Sequence, residues 1–471
     1  MFQSNWFLKL GASGSCAIAA LLLAVSLQAQ VDDTTRQLSR DIFKQLIEIN
    51  TTDSVGNVST AAEAMAQRLR DAGFPDSDIQ VLGPNDRKKN LVARLHGTGA
   101  KRSVLLIGHL DVVEARRQDW TTDPFQFVEK DGYFYGRGTQ DMKSADAIDV
   151  ATLIRFKQEG YKPDRDIVLA LTADEEGGKS NGVDWLLRNH RDLIDAEFVL
   201  NADGGGVDTV KGKPLDLSVD AAEKLYGDYQ LEVTNSGGHS SLPVPDNAIY
   251  RLTDGLTRLQ AYLFPFELNA VTRTYFQRMA TVETGQTAAN MRAILKNPPE
   301  QAAIRRLSAN PIYNATMRTT CVATMLSAGH AQNALPQLAT ATVNCRLLPV
   351  DKPEDIKRTL EQVLADPKIT VTEMNQPAST PYTPIDPKVM AAVTASTNKF
   401  WPGLPIVPAM ETGATDGSRM IRAGIPTYGV SGIFGDEDDV RAHGRSERIL
   451  VKSFDDAVDF IYDLITRLSG D

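Results

Sequence analysis

The run Val104-Leu105-Leu106-Ile107-Gly108-His109-Leu110-Asp111-Val112-Val113 decides the fold. Four consecutive apolar residues read as a strand buried on both faces, as in a parallel sheet. The run then breaks at Gly108, and His109 and Asp111 follow two residues apart, on one face of an extended chain. The same event recurs downstream. Ile167 to Ala173 leads into Asp174-Glu175-Glu176-Gly177-Gly178, and Phe198 to Leu200 into Asn201-Ala202-Asp203-Gly204. Between the apolar runs lie helical patterns at Ser144 to Glu159 and Gly182 to Asn189, and two more precede them, at Leu38 to Ile49 and Ala61 to Leu69. Strands alternating with helices predict an α/β layered domain with a largely parallel sheet. In such sheets sites form at the carboxyl ends of strands, and here those ends carry a histidine and carboxylates.

A different pattern begins near Tyr226. A strand over Gly227 to Thr234, a helix over Asn247 to Tyr262, strands at Thr319 to Met325 and Ala339 to Leu348, a helix at Glu354 to Leu364 and a strand at Ile369 to Met374 predict a small α+β domain. It is inserted in the larger one, and Phe264 to Tyr313 reads as an irregular stretch within it. The larger domain resumes near Pro381 with helices at Asp386 to Thr397 and Ser453 to Leu468. The expected division is residues 1–30 a signal peptide, 31–222 and 379–471 the catalytic domain, and 223–378 a lid or dimerisation domain.

The chain has 471 residues, 42% hydrophobic and 23% charged, which excludes collagen-like, disordered and disulfide-scaffold classes. A formal net charge of −10 argues against a nucleic-acid partner. At the N-terminus, Lys9 and the apolar run Cys16 to Leu27 read as a secretory signal ending near Leu27-Gln28-Ala29. That run is short of the roughly 20 residues that span a bilayer. The expectation is an exported protein, periplasmic or secreted, without a membrane span once the signal is cleaved; an uncleaved anchor is the alternative. Export would permit Cys321 and Cys345 to pair. A disulfide between neighbouring strands and two buried free thiols both remain open.

Each motif alone has a plain reading: a Glu-Glu pair is usually a solvated loop, and Asp-Gly a turn. Recurrence at several strand ends weakens it. The Gly-rich segment Gly136-Arg137-Gly138-Thr139-Gln140-Asp141-Met142-Lys143 enters a helix without a phosphate-loop register. Thr412-Gly413-Ala414-Thr415-Asp416-Gly417-Ser418-Arg419 and Ala442-His443-Gly444-Arg445-Ser446-Glu447 add polar loops from the C-terminal part. In the insertion, Gly237-Gly238-His239-Ser240-Ser241, Asn333-Ala334-Leu335-Pro336 and Asn344-Cys345-Arg346 add more. Histidine with carboxylates suits zinc or another divalent ion. Of six histidines, His96, His190 and His330 lack such settings and read as structural or surface residues.

With these motifs in order, the sequence resembles the di-zinc metallopeptidase and amidohydrolase family of carboxypeptidase G, succinyl-diaminopimelate desuccinylase, aminoacylase and carboxypeptidase S. The stretch from Phe264 through Arg346 looks most like the carboxypeptidase S branch, which includes enzymes acting on N-fatty-acyl amino acids. The resemblance implies a three-layer α/β/α zinc-exopeptidase domain with an inserted ferredoxin-like lid. It implies two zinc ions, with Co2+ or Mn2+ as substitutes. His109 and Asp203 would bind one ion, Glu176 and His443 the other, and Asp141 would bridge both. Many relatives have Glu at the Asp203 position, and others Asp. Asp111 would orient His109. Glu175 would be the general base for a hydroxide held between the ions, and His239 would stabilise the developing oxyanion. Arg346, with Asn333 and the Thr415 loop, would hold a substrate carboxylate.

The implied activity is hydrolysis of a peptide or amide bond next to a free carboxylate. A carboxypeptidase or dipeptidase is the first reading, and an N-acyl amino acid amidohydrolase the alternative. A non-catalytic binding protein on this fold and a di-metal phosphodiesterase are lesser alternatives. The expected partners are a small peptide or N-acyl amino acid and a second copy of the chain through the lid.

Overall fold

The computed structural model describes residues 33–375, 380–436 and 438–470. The expected signal segment lies outside the described residues. Val104–His109 is a strand with every residue buried, and it sits in the middle of a ten-stranded sheet. It pairs in parallel with Ile167–Thr172 on one side and with Phe198–Asn201 on the other. Thr427–Gly429 extends this parallel centre. One side continues antiparallel, through Asn90–Leu95 and Ile79–Leu82. On the other, Gly206–Val210 pairs antiparallel with Lys213–Glu223, while Ile406–Glu411 joins Lys213–Glu223 in parallel and Phe434–Asp436 closes the edge in parallel with Gly206–Val210. The sheet is therefore mixed, and the chemistry-bearing strand ends belong to its parallel centre.

Alternation along the buried strands feeds two faces. Val104 and Leu106, with Leu169 and Leu171, pack under Val458, Leu464 and Ile154 from the helices Val451–Ser469 and Lys143–Glu159. Leu105 and Ile107, with Val168 and Ala170, face Val183, Leu186 and Met420 from Gly182–Asn189 and Gly417–Arg422. That makes three layers, as expected.

The second sheet has four antiparallel strands, in the order Thr320–Ala328, Leu338–Leu347, Leu225–Thr234 and Thr370–Glu373. Helices Ala248–Ala261 and Pro353–Leu364 cover one face, through Leu252, Leu259, Ile356 and Leu360 on Leu231, Val233, Ala341 and Val343. In chain order this is βαββαβ, the ferredoxin-like arrangement. One residue, Lys224, separates Lys213–Glu223 of the large sheet from Leu225–Thr234 of the small one. It is buried, and its Nζ donates to Arg318 O at 2.7 Å.

The stretch read as irregular is helical. Ala270–Val282, Gly285–Ile294, Gln301–Leu307 and Pro311–Thr316 are four helices in succession. They form a cluster of their own around Phe276, Met291 and Ile304 that packs on Val407 of the strand Ile406–Glu411. They therefore rest on the large sheet, although they fall within 223–378.

Cys321 and Cys345 are cross-strand neighbours and are joined by a disulfide. The bond ties the edge strand Thr320–Ala328 to the next strand in. Non-reducing peptide mapping should recover the two cysteines in one cross-linked peptide. Alkylation of both thiols without reductant would contradict the pairing.

Candidate active site

Five residues predicted at loop and strand ends converge. His109 closes its strand and is 1% exposed. Its Nδ1 lies 3.0 Å from the backbone oxygen of Asp111. A proton held on Nδ1 by that carbonyl leaves Nε2 free to face outward. Nε2 lies 3.0 Å from Asp141 Oδ1 and 3.8 Å from Asp203 Oδ2. On the other side of Asp141, His443 Nε2 lies 2.9 Å from Asp141 Oδ2 and 2.9 Å from Glu176 Oε1. The result is two donor groups with one shared carboxylate: His109, Asp141 and Asp203, and Asp141, Glu176 and His443. Within each, the ligand atoms lie within 4.8 Å of one another. One imidazole and two carboxylates per group fit a divalent ion of the zinc type.

The electrostatics agree with a cation site. Burial works against charge on His109, but the hydrogen bond to Asp141 and the carboxylates of Asp203, Asp141 and Asp111 raise it well above the imidazole range. Hydrogen bonds to Asp141 and Glu176 carry His443 up to about 10. Burial alone would raise Asp141; the two imidazoles outweigh it and hold Asp141 below the carboxylate range. Asp203 is pushed well above that range by burial and then by the charge of Asp141. Without a cation, the cluster gathers protons to balance its carboxylates.

Glu175 sits beside this cluster. Burial pushes it up to about 8, and the charges of Asp416, Glu176 and Asp111 add to the rise while His109 opposes it. Asp111 takes a different position from the expected one. Its carboxylate is 3.7 Å from His109 Nδ1 and instead accepts the backbone N–H groups of Glu175 and Glu176, each at 3.1 Å. The carbonyl of Asp111 orients the imidazole, and its carboxylate holds the Glu175–Glu176 loop.

Four other expected site residues stand apart from the cluster. Thr415 is buried and hydrogen-bonded on all sides: its hydroxyl donates to Glu223 Oε1 at 2.7 Å and accepts from Asn201 Nδ2 at 2.8 Å. It braces the loop from within and offers no free group to a substrate. His239 lies exposed on a two-residue ribbon, Gly238–His239 against Ala334–Leu335, and Ser240 N donates to Asn333 O at 3.1 Å. Arg346 is on the face of the small sheet away from its helices, 4.7 Å above the ring of Tyr226. Among the described residues, no hydrogen bond or ion pair joins His239, Asn333 or Arg346 to the donor groups.

The sequence reading assigned no role to Glu447 and Arg137, although both stood inside quoted motifs. Glu447 is fully buried and bonded to the Asp141 loop, and its Arg137 partner reaches the His443 loop. A buried Arg–Glu pair across 310 residues leaves no local spacing signal.

Residues 105–467 match Peptidase family M20/M25/M40. The chain belongs to that family. Among M20 relatives, the human N-fatty-acyl-amino acid synthase/hydrolase PM20D1 is 28% identical over 379 residues, covering 78% of this chain and 74% of its own. A probable carboxypeptidase S-like 2 of Dictyostelium discoideum is 29% identical over 381 residues, 77% of this chain and 71% of its own. The M20 metallo-carboxypeptidase Sso-CP2 of Sulfolobus solfataricus superposes with a TM-score of 0.68 at 17% identity, over 91% of this chain and 98% of that one. Human carnosine dipeptidase 1 gives 0.64 at 16%, over 94% and 98%. The chain is thus an M20 hydrolase, of the metallopeptidase and amidohydrolase kind.

The shared carboxylate predicts unequal losses. Asp141→Ala should abolish binding of both ions, whereas Asp203→Ala should leave about one per chain, on the two-group donor count. Elemental analysis after gel filtration checks this, and equal stoichiometry in the two variants would contradict it.

Proposed function

We propose that this M20 hydrolase is a zinc-dependent exopeptidase, a carboxypeptidase or dipeptidase that cleaves the bond next to a free carboxylate. The carrying observation is the pair of donor groups that share Asp141, with Glu175 on the adjoining loop. When bound, two divalent ions would lower the pKa of a water and polarise the scissile carbonyl. Their charge would also draw Glu175 back toward its ionised form. Glu175 then takes the water's proton and passes it to the leaving amine. Asp111 keeps Glu175 in place through its backbone. His239 is assigned to the carbonyl oxygen as negative charge grows there, and the Arg346 fork, with Asn333, to the substrate carboxylate. These three residues belong to the small sheet and its ribbon, so they act on the cleft only through closure of that part or from a second copy.

A cavity of about 370 Å³ adjoins the cluster, and Asp141 and Asp203 share its wall with Asp208, Glu411 and Asp436. Asp208, Glu411 and Asp436 would hold a positive group such as the free amine of a peptide, while Met142, Ile433, Phe434 and Val440 of the same wall would take an apolar side chain or acyl group. The N-acyl amino acid reading keeps support from relatives named N-fatty-acyl-amino acid synthase/hydrolase. The support for export is the apolar run at Cys16 to Leu27, and no described helix is long and apolar enough to cross a membrane. For the homodimer, the support is the edge strand Thr320–Ala328, whose Val322, Met325 and Leu326 are exposed. An open apolar strand edge is a template for pairing.

Glu175→Ala should retain its metal and lose about 10²–10⁴-fold in kcat, the span of general-base contributions. On a panel of dipeptides, N-acetyl and N-long-chain-acyl amino acids, dipeptides should give the highest kcat/KM. Preference for the long-chain acyl substrates would replace the first reading with the second. In sedimentation equilibrium the wild-type chain should run as a dimer and Val322→Lys as a monomer; a monomeric wild type would refute the pairing.

A further inference from the structure

The two donor groups are not held equally. His109 and Asp203 stand at the ends of adjacent central strands, Val104–His109 and Phe198–Asn201, which are buried throughout. His443 stands on a loop outside any strand of that sheet, and its backbone takes a left-handed φ of +61°, a conformation that a non-glycine residue keeps only when its surroundings enforce it.

Two features hold that loop. The first is a three-stranded sheet in which Arg448–Leu450 pairs antiparallel with Tyr133–Tyr135. It brings the start of the Asp141 loop and the end of the His443 loop side by side, and Gly136 N donates to Glu447 O at 3.2 Å. The second is Glu447 itself. One carboxylate oxygen accepts from Arg137 Nη1 at 2.6 Å and from Gly138 N at 3.2 Å. The other accepts from Gln140 N at 2.7 Å and from Asp141 N at 3.1 Å. Arg137, 2% exposed, turns its Nη2 to the carbonyls of His443 at 3.3 Å and Gly444 at 3.1 Å. Its guanidinium lies 5.1 Å above the ring of Trp120.

We infer that Glu447 and Arg137 are positioning residues that assemble the Asp141–Glu176–His443 group, so that one of the two ions depends on this clamp and the other largely does not. The inference rests on the metal-dependent reading above. The clamp sets two of that group's three members, Asp141 through its amide and His443 through its carbonyl. In the His109 group it sets Asp141 alone. A glutamine at 447 has the shape of glutamate but only one acceptor oxygen. Its amide N–H groups would face two of the four donors. A lysine at 137 keeps the charge but cannot reach both the carboxylate and the two carbonyls.

The test is metal content of the full chain, by elemental analysis after gel filtration at graded chelator concentrations. Wild type should release its ions at two separable concentrations. In Glu447→Gln and Arg137→Lys the more labile ion should leave at chelator levels about 10–100-fold lower, the span seen when residues behind metal ligands are changed. The tighter ion should stay near its wild-type value. Excess zinc should restore turnover to both variants but not to Glu175→Ala. Circular dichroism of the metal-free proteins checks folding, and if one variant does not fold the other carries the test. Wild-type release curves in both variants, or loss of both ions together, would overturn the clamp alone. A wild-type chain that binds no metal would overturn the metal reading, and the clamp with it.

Discussion

Asp141 turns one carboxylate oxygen toward His109 and the other toward His443, and its neighbours compete for the same small space. Several carboxylates packed at buried strand ends repel one another and resist ionising together. Added positive charge relieves that conflict, whether as protons on the imidazoles and the raised carboxylates or as a pair of divalent ions. The surrounding polar contacts make sense as responses to this constraint. Asp111 spends its carboxylate on two backbone amides of the Glu175–Glu176 loop, while its carbonyl fixes the His109 ring. Thr415 holds Glu223 and Asn201 together behind the site. Each bond stops a flexible segment from relaxing away from a crowded centre.

The fold supplies the rigidity this needs. The strands that end at His109, Thr172 and Asn201 are parallel neighbours, buried on both faces between helical layers. Side chains launched from their ends differ little in depth. The loops arriving from elsewhere are then fastened to that platform by hydrogen bonds and by the Arg137–Glu447 pair.

Much of this was legible in the sequence because it is written locally. Val104 to Ile107 announces a buried strand, and His109 and Asp111 follow where such a strand must end. The βαββαβ order of the insertion could be read from alternating runs, because its helices and three of its four strands are long. The helices between Ala270 and Thr316 were not legible, because their apolar residues turn toward one another and toward Val407 as well as along one stripe. The antiparallel pair Gly206–Val210 and Lys213–Glu223 escaped for a related reason. Acidic residues such as Asp208, Asp216 and Asp220 interrupt its pattern. At the site, residue type predicted the five candidate ligands, but not which polar groups face the cleft. Thr415 sat in the right loop, yet its hydroxyl is consumed internally. Glu447 sat four residues beyond His443, yet its partners lie more than 300 residues upstream.

That separation bears on how the protein comes into being. The Asp141 loop is synthesised some 300 residues before its companion loop. Contacts so distant in sequence form late, because a long intervening chain must first be ordered. Until the C-terminal helix Val451–Ser469 docks and draws its preceding loop into place, the nascent chain holds an incomplete cluster. The second donor group is therefore complete only when the two sequence halves of the large domain have met.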